Sequence, residues 1–274
     1  MSIGPDILMR LIEAFLCVGV AITSMEIVSI RQEYMDNGLL SWRIQRLSHG
    51  VIWDLSHKLK FDFILKYPTV LGIVFARLFS ALWIIYSALN GYPTSVPLVI
   101  LTLSTFLMLI RSPQGNDGSD QMATIILVAI TLSELVGTQV SRSLGLFFIA
   151  AQASLAYGVS GFLKVPQLGW RNGSYVKEIL STSSFGNKVL LAFVEKHQLA
   201  AKALGLSIGL GDCVLCLGAL LPPPLTAVIF CFGFVLHLGI AAILGLNTFF
   251  WSFVATFPAT MWVSLSLYGY LLKK

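Results

Sequence analysis

Apolar residues gather along the chain into long runs set off by polar breaks. Reading these runs predicts eight membrane-spanning helices at about 7–30, 69–89, 96–110, 121–140, 144–163, 204–221, 225–246 and 249–272. The run at 96–110 is short for a crossing and must borrow residues before it or tilt less than its neighbours. Most breaks are tight, at 91–95, 111–120, 141–143 and the Pro222-Pro223-Pro224 stretch, where a helix cannot continue without clashes and lost donors. Tight links make successive spans antiparallel. Two connections are long, 31–68 and 164–203. They mix aromatic and basic residues (Trp42, Arg43, Arg46, Trp53, Lys58, Lys60; Trp170, Arg171, Lys177, Phe185, Lys188), which predicts amphipathic segments lying in the membrane interface. The expected fold is an all-α polytopic transmembrane helical bundle, one domain over residues 1–274.

Composition agrees with this pattern. Of 274 residues, 56% are hydrophobic and 11% charged, with mean hydropathy +0.82; a soluble domain carries roughly 25% charged residues. The spans leave about 75 to 100 residues outside the bilayer, too few for a separate soluble catalytic domain. The net charge of +5 arises from 18 Lys+Arg against 13 Asp+Glu. Six Lys/Arg stand in each long connection, whereas Arg142, Lys273 and Lys274 stand on the opposite side, so the positive-inside rule places the long connections in the cytoplasm. The basic surplus thus reads as contact with anionic lipid in the cell (cytoplasmic) membrane, and not with nucleic acid. Cys17, Cys213, Cys216 and Cys231 all lie in apolar runs, which excludes a secreted disulfide framework. The N-terminus lacks a signal-peptide pattern, so the first span is expected to be retained.

Ionisable groups inside spans carry the functional signal, because each costs roughly 2.5–3.5 kcal/mol on insertion scales unless paired or hydrated. Asp6, Arg10 and Glu13 share one face of span one, where Arg10 can reach either carboxylate. Arg77 stands about halfway along span two without a partner in its own helix; Glu26, Glu134 and Asp212 are the candidate partners, and an anionic substrate is the alternative. The polar turn 111–121 brings Asp117, Asp120 and Gln121 to the start of span four, positions that suit helix capping and, for Asp120 and Gln121, substrate contact. In span five Tyr157, Ser160 and Lys164 form one stripe ending in a lysine, which either snorkels to the headgroups or, if desolvated, serves as a general base. His237 lies near the middle of span seven and Asn247 at its end. A metal site is weakly supported, since His49 and His57 with Asp54 between them match no recognised ligand spacing. Cys213 and Cys216 form a Cys-x-x-Cys read mainly as small-residue packing, with quinone-linked dithiol chemistry as the alternative. No phosphate-binding glycine loop, GxSxG elbow or HExxH is present.

The run from Leu144 through Tyr157 and Gly161-Phe-Leu-Lys164, then Trp170-Arg-Asn-Gly173 and Ile179-Leu180, resembles the HTTM family, the membrane domain shared with vitamin K-dependent gamma-carboxylase. Gly118-Ser-Asp-Gln121, His237 followed by Asn247-x-Phe and Phe253, and Arg10 are similar to further parts of that pattern. The resemblance implies a helical bundle around a hydrophobic cavity and a reduced quinone as cofactor. It further implies Lys164 as the catalytic base with His237 near the reaction; Tyr157 is the third candidate catalytic residue, and Arg77, Asp120, Gln121, Trp170 and Asn247 are the candidate substrate-binding residues. The residues present include no counterpart of the large lumenal region with which the carboxylase holds its protein substrate. Short bacterial members similar to this chain include the sporulation-delaying-protein B group, which implies peptide-toxin maturation with a peptide substrate and a small partner protein. Three expectations follow. The first is an enzyme acting on a lipophilic or peptide substrate, the second a non-enzymatic accessory or immunity protein, and the third a membrane thiol/quinone redox protein. A transporter would show inverted repeats and discontinuous helices, and neither is visible in the sequence.

Overall fold

The computed structural model describes residues 4–48, 62–112 and 116–271. It is 83% helical, with no strand among the described residues, and the chain divides into two compact units at Arg142/Ser143. The first unit holds α1 (Pro5–Ser29), a 3₁₀ turn (Arg31–Tyr34), two four-residue helices, α2 (Trp42–Gln45) and α3 (Asp62–Leu65), then α4 (Thr69–Asn90), α5 (Ser95–Arg111) and α6 (Gly118–Val136). Helix α7 (Gln139–Lys164) starts there and runs into the second unit. The second unit continues with α8 (Leu168–Asn172), α9 (Ser174–Ser181), α10 (Lys188–Lys196), α11 (Gln198–Cys216), α12 (Pro223–Leu244), α13 (Asn247–Val254) and α14 (Phe257–Leu271).

Among the described residues, seven segments are long and apolar enough to cross a membrane by length and composition. Burial within them runs opposite to that of a soluble protein. Of the 22 residues of α12, only Thr226, Gly233 and His237 are buried, while Val228, Val235 and Leu238 are exposed. Water would penalise such a face by roughly 1.5–3 kcal/mol per large side chain, whereas hydrocarbon does not. The buried hydroxyl of Thr226 donates to Gly218 O at 2.8 Å, as the absence of water in a bilayer requires. The chain is therefore a multi-pass integral membrane protein.

Several expected boundaries shift. The run at 96–110 is α5, 17 residues or about 25 Å long, short of a crossing of ~30 Å unless its flanks contribute. The break expected at 141–143 lies instead at Gly137-Thr138: α6 ends on Gly137 in the left-handed conformation (φ 69°), and α7 opens three residues before Arg142. There Thr138 and Ser141 exchange side-chain-to-backbone hydrogen bonds of 3.1 Å, a reciprocal cap that restarts the helix. The last span is interrupted at Ala255-Thr256 and proceeds as α13 and α14. Residues 198–203, expected in the long connection, form the first turn and a half of α11.

In the connection before it, α9 buries Val176 and Leu180 and α10 buries Val194, leaving Glu178, Lys188 and Glu195 exposed, so both are amphipathic as expected. The connection 31–68 differs. Its described part forms short turns held by Arg111, a fully buried residue whose Nε donates to Leu65 O (3.0 Å) and whose Nη2 donates to Leu40 O (2.7 Å). The guanidinium also stands 4.4 Å over the ring of Tyr34. Burial pushes the Tyr34 phenol up, and Arg111 opposes that rise. Two carbonyls some 46 and 71 positions away thus depend on one side chain. Arg111→Met strips both of their donor, at roughly 1–3 kcal/mol each. The expected result is protease sensitivity within 31–68 in detergent with unchanged helical circular dichroism; equal resistance of the two proteins would contradict the clamp.

Candidate functional site

Helix α7 supplies the stripe that the spacing predicts. Tyr157 and Gly161 are buried, and Ser160 and Lys164 are partly buried. Lys164 Nζ donates to Asp212 Oδ2 and to Ser160 Oγ, both at 2.7 Å, and Ser160 Oγ donates to the same carboxylate oxygen at 2.8 Å. Asp212 belongs to α11, where its side chain is 6% exposed against 26% for Lys164. The lysine therefore does not snorkel freely to the headgroups. It forms a charge-assisted pair with a carboxylate from a neighbouring helix. As an ammonium it is a proton donor and an anion clamp, and it becomes a base once its proton passes to Asp212 or to a substrate.

One to two turns deeper, Tyr157 Oη lies 2.8 Å from His237 Nε2 of α12. The imidazole stacks on Phe253 of α13 with ring centroids 4.9 Å apart and planes 6° from parallel, and Tyr157 lies 5.2 Å from the same ring. Nδ1 of His237 is buried with no hydrogen-bond partner among the described residues. The two polar groups lie within electrostatic range of one another, Asp212 acting on Tyr157 and Lys164 on His237. They are two polar groups in an apolar setting.

Trp170, in α8, stands between the Lys164 ammonium and an apolar pocket. Its ring lies 5.5 Å from Lys164 Nζ, a cation–π distance, and edge-on to Tyr175 at 5.9 Å. The same side chain lines a pocket of about 370 Å³ with Val176, Leu180, Leu204, Phe232 and Ile240. Gly173 sets its position: φ is +80°, and a Cβ there would stand 2.4 Å from the Ala201 carbonyl carbon of α11. This gives the Trp-x-x-Gly spacing a physical reason, because the turn after Trp170 must be left-handed and pressed against a helix backbone.

Asn247 opens α13, six positions before Phe253. Arg77, Asp120 and Gln121 belong to the first unit. Arg77 Nη2 donates to Thr23 Oγ1 at 3.5 Å, and its carboxylate within electrostatic range is Asp120. Of the carboxylates expected for Arg77, Glu134 bonds to Arg142 and Asp212 to Lys164. Asp120 also closes a capping box with Asp117 at the start of α6, as expected of this turn, while Gln121 is exposed. Arg10 donates to the Ser87 carbonyl (3.1 Å) and to the Tyr92 carbonyl (3.5 Å), and Arg142, expected in a loop, instead pairs with Asp6 and Glu134. His49, Asp54 and His57, with Trp53, Lys58 and Lys60, lie outside the described residues. Among the described residues no group of three His, Cys, Asp or Glu is placed to hold a metal. From sequence Asp212 reads only as a partner for Arg77; the signal for its place here is an acid alone in an apolar run, with a lysine at another span's end.

Compared with protein-family models, curated proteins and solved structures, the chain finds no match.

Proposed function

We propose that this membrane protein is an enzyme of HTTM-like type that holds a lipophilic substrate in the pocket beside Trp170 and exchanges protons with its polar end through Lys164–Asp212 and Tyr157–His237. One observation carries the reading. Trp170 belongs at once to the wall of the apolar pocket and to the cation–π contact with Lys164, so a tail in the pocket leaves its head beside the ammonium. The paired ammonium suits a substrate with an acidic hydroxyl or anionic head. A reduced quinone, the cofactor class that the motif likeness implies, has both a hydroxyl head and an apolar tail. A peptide substrate with a small partner protein is the other form of the reading, taken from the likeness to the sporulation-delaying-protein B group.

A tritiated quinol analogue bearing a photoreactive tail tests it on the full-length protein in liposomes. The expected result is labelling concentrated on α9, α11 and α12 residues of the pocket, competed by unlabelled quinol. Trp170→Ala should weaken it about tenfold, the equivalent of about 1.4 kcal/mol. Labelling spread evenly over lipid-facing residues, or unchanged in Trp170→Ala, would refute the pocket as the binding site.

A further inference from the structure

The first unit contains a second polar centre that the proposed site does not use. Asp6, Arg10 and Glu13 of α1, Thr94 ahead of α5, Glu134 of α6 and Arg142 of α7 line a cavity of about 250 Å³, room for several waters at ~30 Å³ each. Its internal pairing is uneven. Arg142 bridges Asp6 (2.8 Å) and Glu134 (2.8 and 3.1 Å), so one guanidinium meets two carboxylates. Arg10 spends its Nη1 on the Ser87 and Tyr92 carbonyls. That leaves Glu13, 1% exposed, whose Oε2 has no hydrogen-bond partner among the described residues, with Thr94 lining the same cavity. Thr94 is the N-cap of α5 yet makes no capping hydrogen bond, so its hydroxyl is available to Glu13. With every group ionised the cavity carries one negative charge too many, and a carboxylate oxygen without a donor in a bilayer interior is costly.

A cation must meet this surplus. The carboxylates do not converge as a metal-holding group among the described residues, and both arginines line the same cavity, which disfavours a metal ion. A proton needs no coordination shell and is carried by the waters that the cavity admits. We propose that Glu13 and this cavity form a proton-binding site, in which the Glu13 carboxylic acid exchanges its proton with cavity water. The groups facing Glu13 are Asp6, Arg10 and Cys17 on its own helix, Glu134 of α6 and Arg142 of α7; α4 and the link after it contribute only carbonyls, and Thr94 its hydroxyl.

Infrared difference spectra of the full-length protein in liposomes, recorded while pH is raised from neutral to alkaline, test the site. The expected signal is the carbonyl stretch of one buried carboxylic acid at neutral pH that shifts in D₂O, disappears with alkali and is absent in Glu13→Gln. Thr94→Val, which removes the hydroxyl lining the cavity with Glu13, should move the same band to higher frequency, so the test survives if Glu13→Gln fails to fold. No such band at neutral pH, a band that persists in Glu13→Gln, a band unmoved in Thr94→Val, or one that appears only when sodium is exchanged at fixed pH for a large organic cation would each overturn the proposal.

Discussion

Lys164→Met is expected to lower the stability of the purified protein in mild detergent by about 3 kcal/mol or more at neutral pH, the cost of leaving one member of a buried ion pair alone. Asp212, with a side chain only 6% exposed, would retain just the Ser160 hydroxyl at 2.8 Å. The reverse change should cost less. In Asp212→Leu the lysine, 26% exposed, keeps a route for its ammonium toward the headgroups. The double variant Lys164→Met/Asp212→Leu should recover most of the loss, because an apolar pair removes both desolvation penalties together. A double-mutant cycle from chemical unfolding in detergent reads these relations. If the double variant instead loses the sum of the two single losses, the two groups are uncoupled, and the proposed site loses its ion pair.

The long helices were legible because about twenty apolar residues in a row have few other fates, and the cross-helix partners were not. Arg142 followed a polar break and was assigned to a loop. What places it in α7 is the reciprocal cap of Thr138 and Ser141, a Thr-x-x-Ser spacing directly after Gly137 that the sequence displays. The interruption of the last span was equally readable in Pro258, which suits the first turn of a new helix and not the interior of an old one. Other features had no local signal. Arg111 closes on carbonyls of Leu40 and Leu65, and Tyr157 meets His237 from 80 positions away. The stripe of Tyr157, Ser160 and Lys164 could be placed on one face from spacing alone, while the identity of its acid required knowing that α11 lies against α7 through small residues. Those small residues also bear on the cysteines. Cys213 and Cys216 are free and point at Gly161 and Gly158, the packing role that their spacing in an apolar run suggested.

That contact yields the sharpest steric expectation. Gly161→Ala should destabilise the protein by about 1–3 kcal/mol and separate Lys164 from Asp212, because the added methyl meets an atom that cannot yield. It would stand 2.6 Å from Cys213 Sγ, 2.7 Å from the Cys213 backbone nitrogen and 3.1 Å from Gly209 O. Shortening the cysteine removes only the first of these. Gly161→Ala/Cys213→Ala should therefore remain unstable, and the two helices must part at the level of the ion pair one turn away. Gly158 sets the contrast, since its methyl would meet only Cys216, at Sγ 3.0 Å and Cβ 3.8 Å. Gly158→Ala should cost less, and Cys216→Ala should restore it. Thermal unfolding of the four variants in one detergent distinguishes the cases. Rescue of Gly161→Ala by Cys213→Ala would mean that side chains alone set the spacing of α7 and α11, whereas its failure identifies backbone approach at Gly161 as what brings Lys164 to its carboxylate.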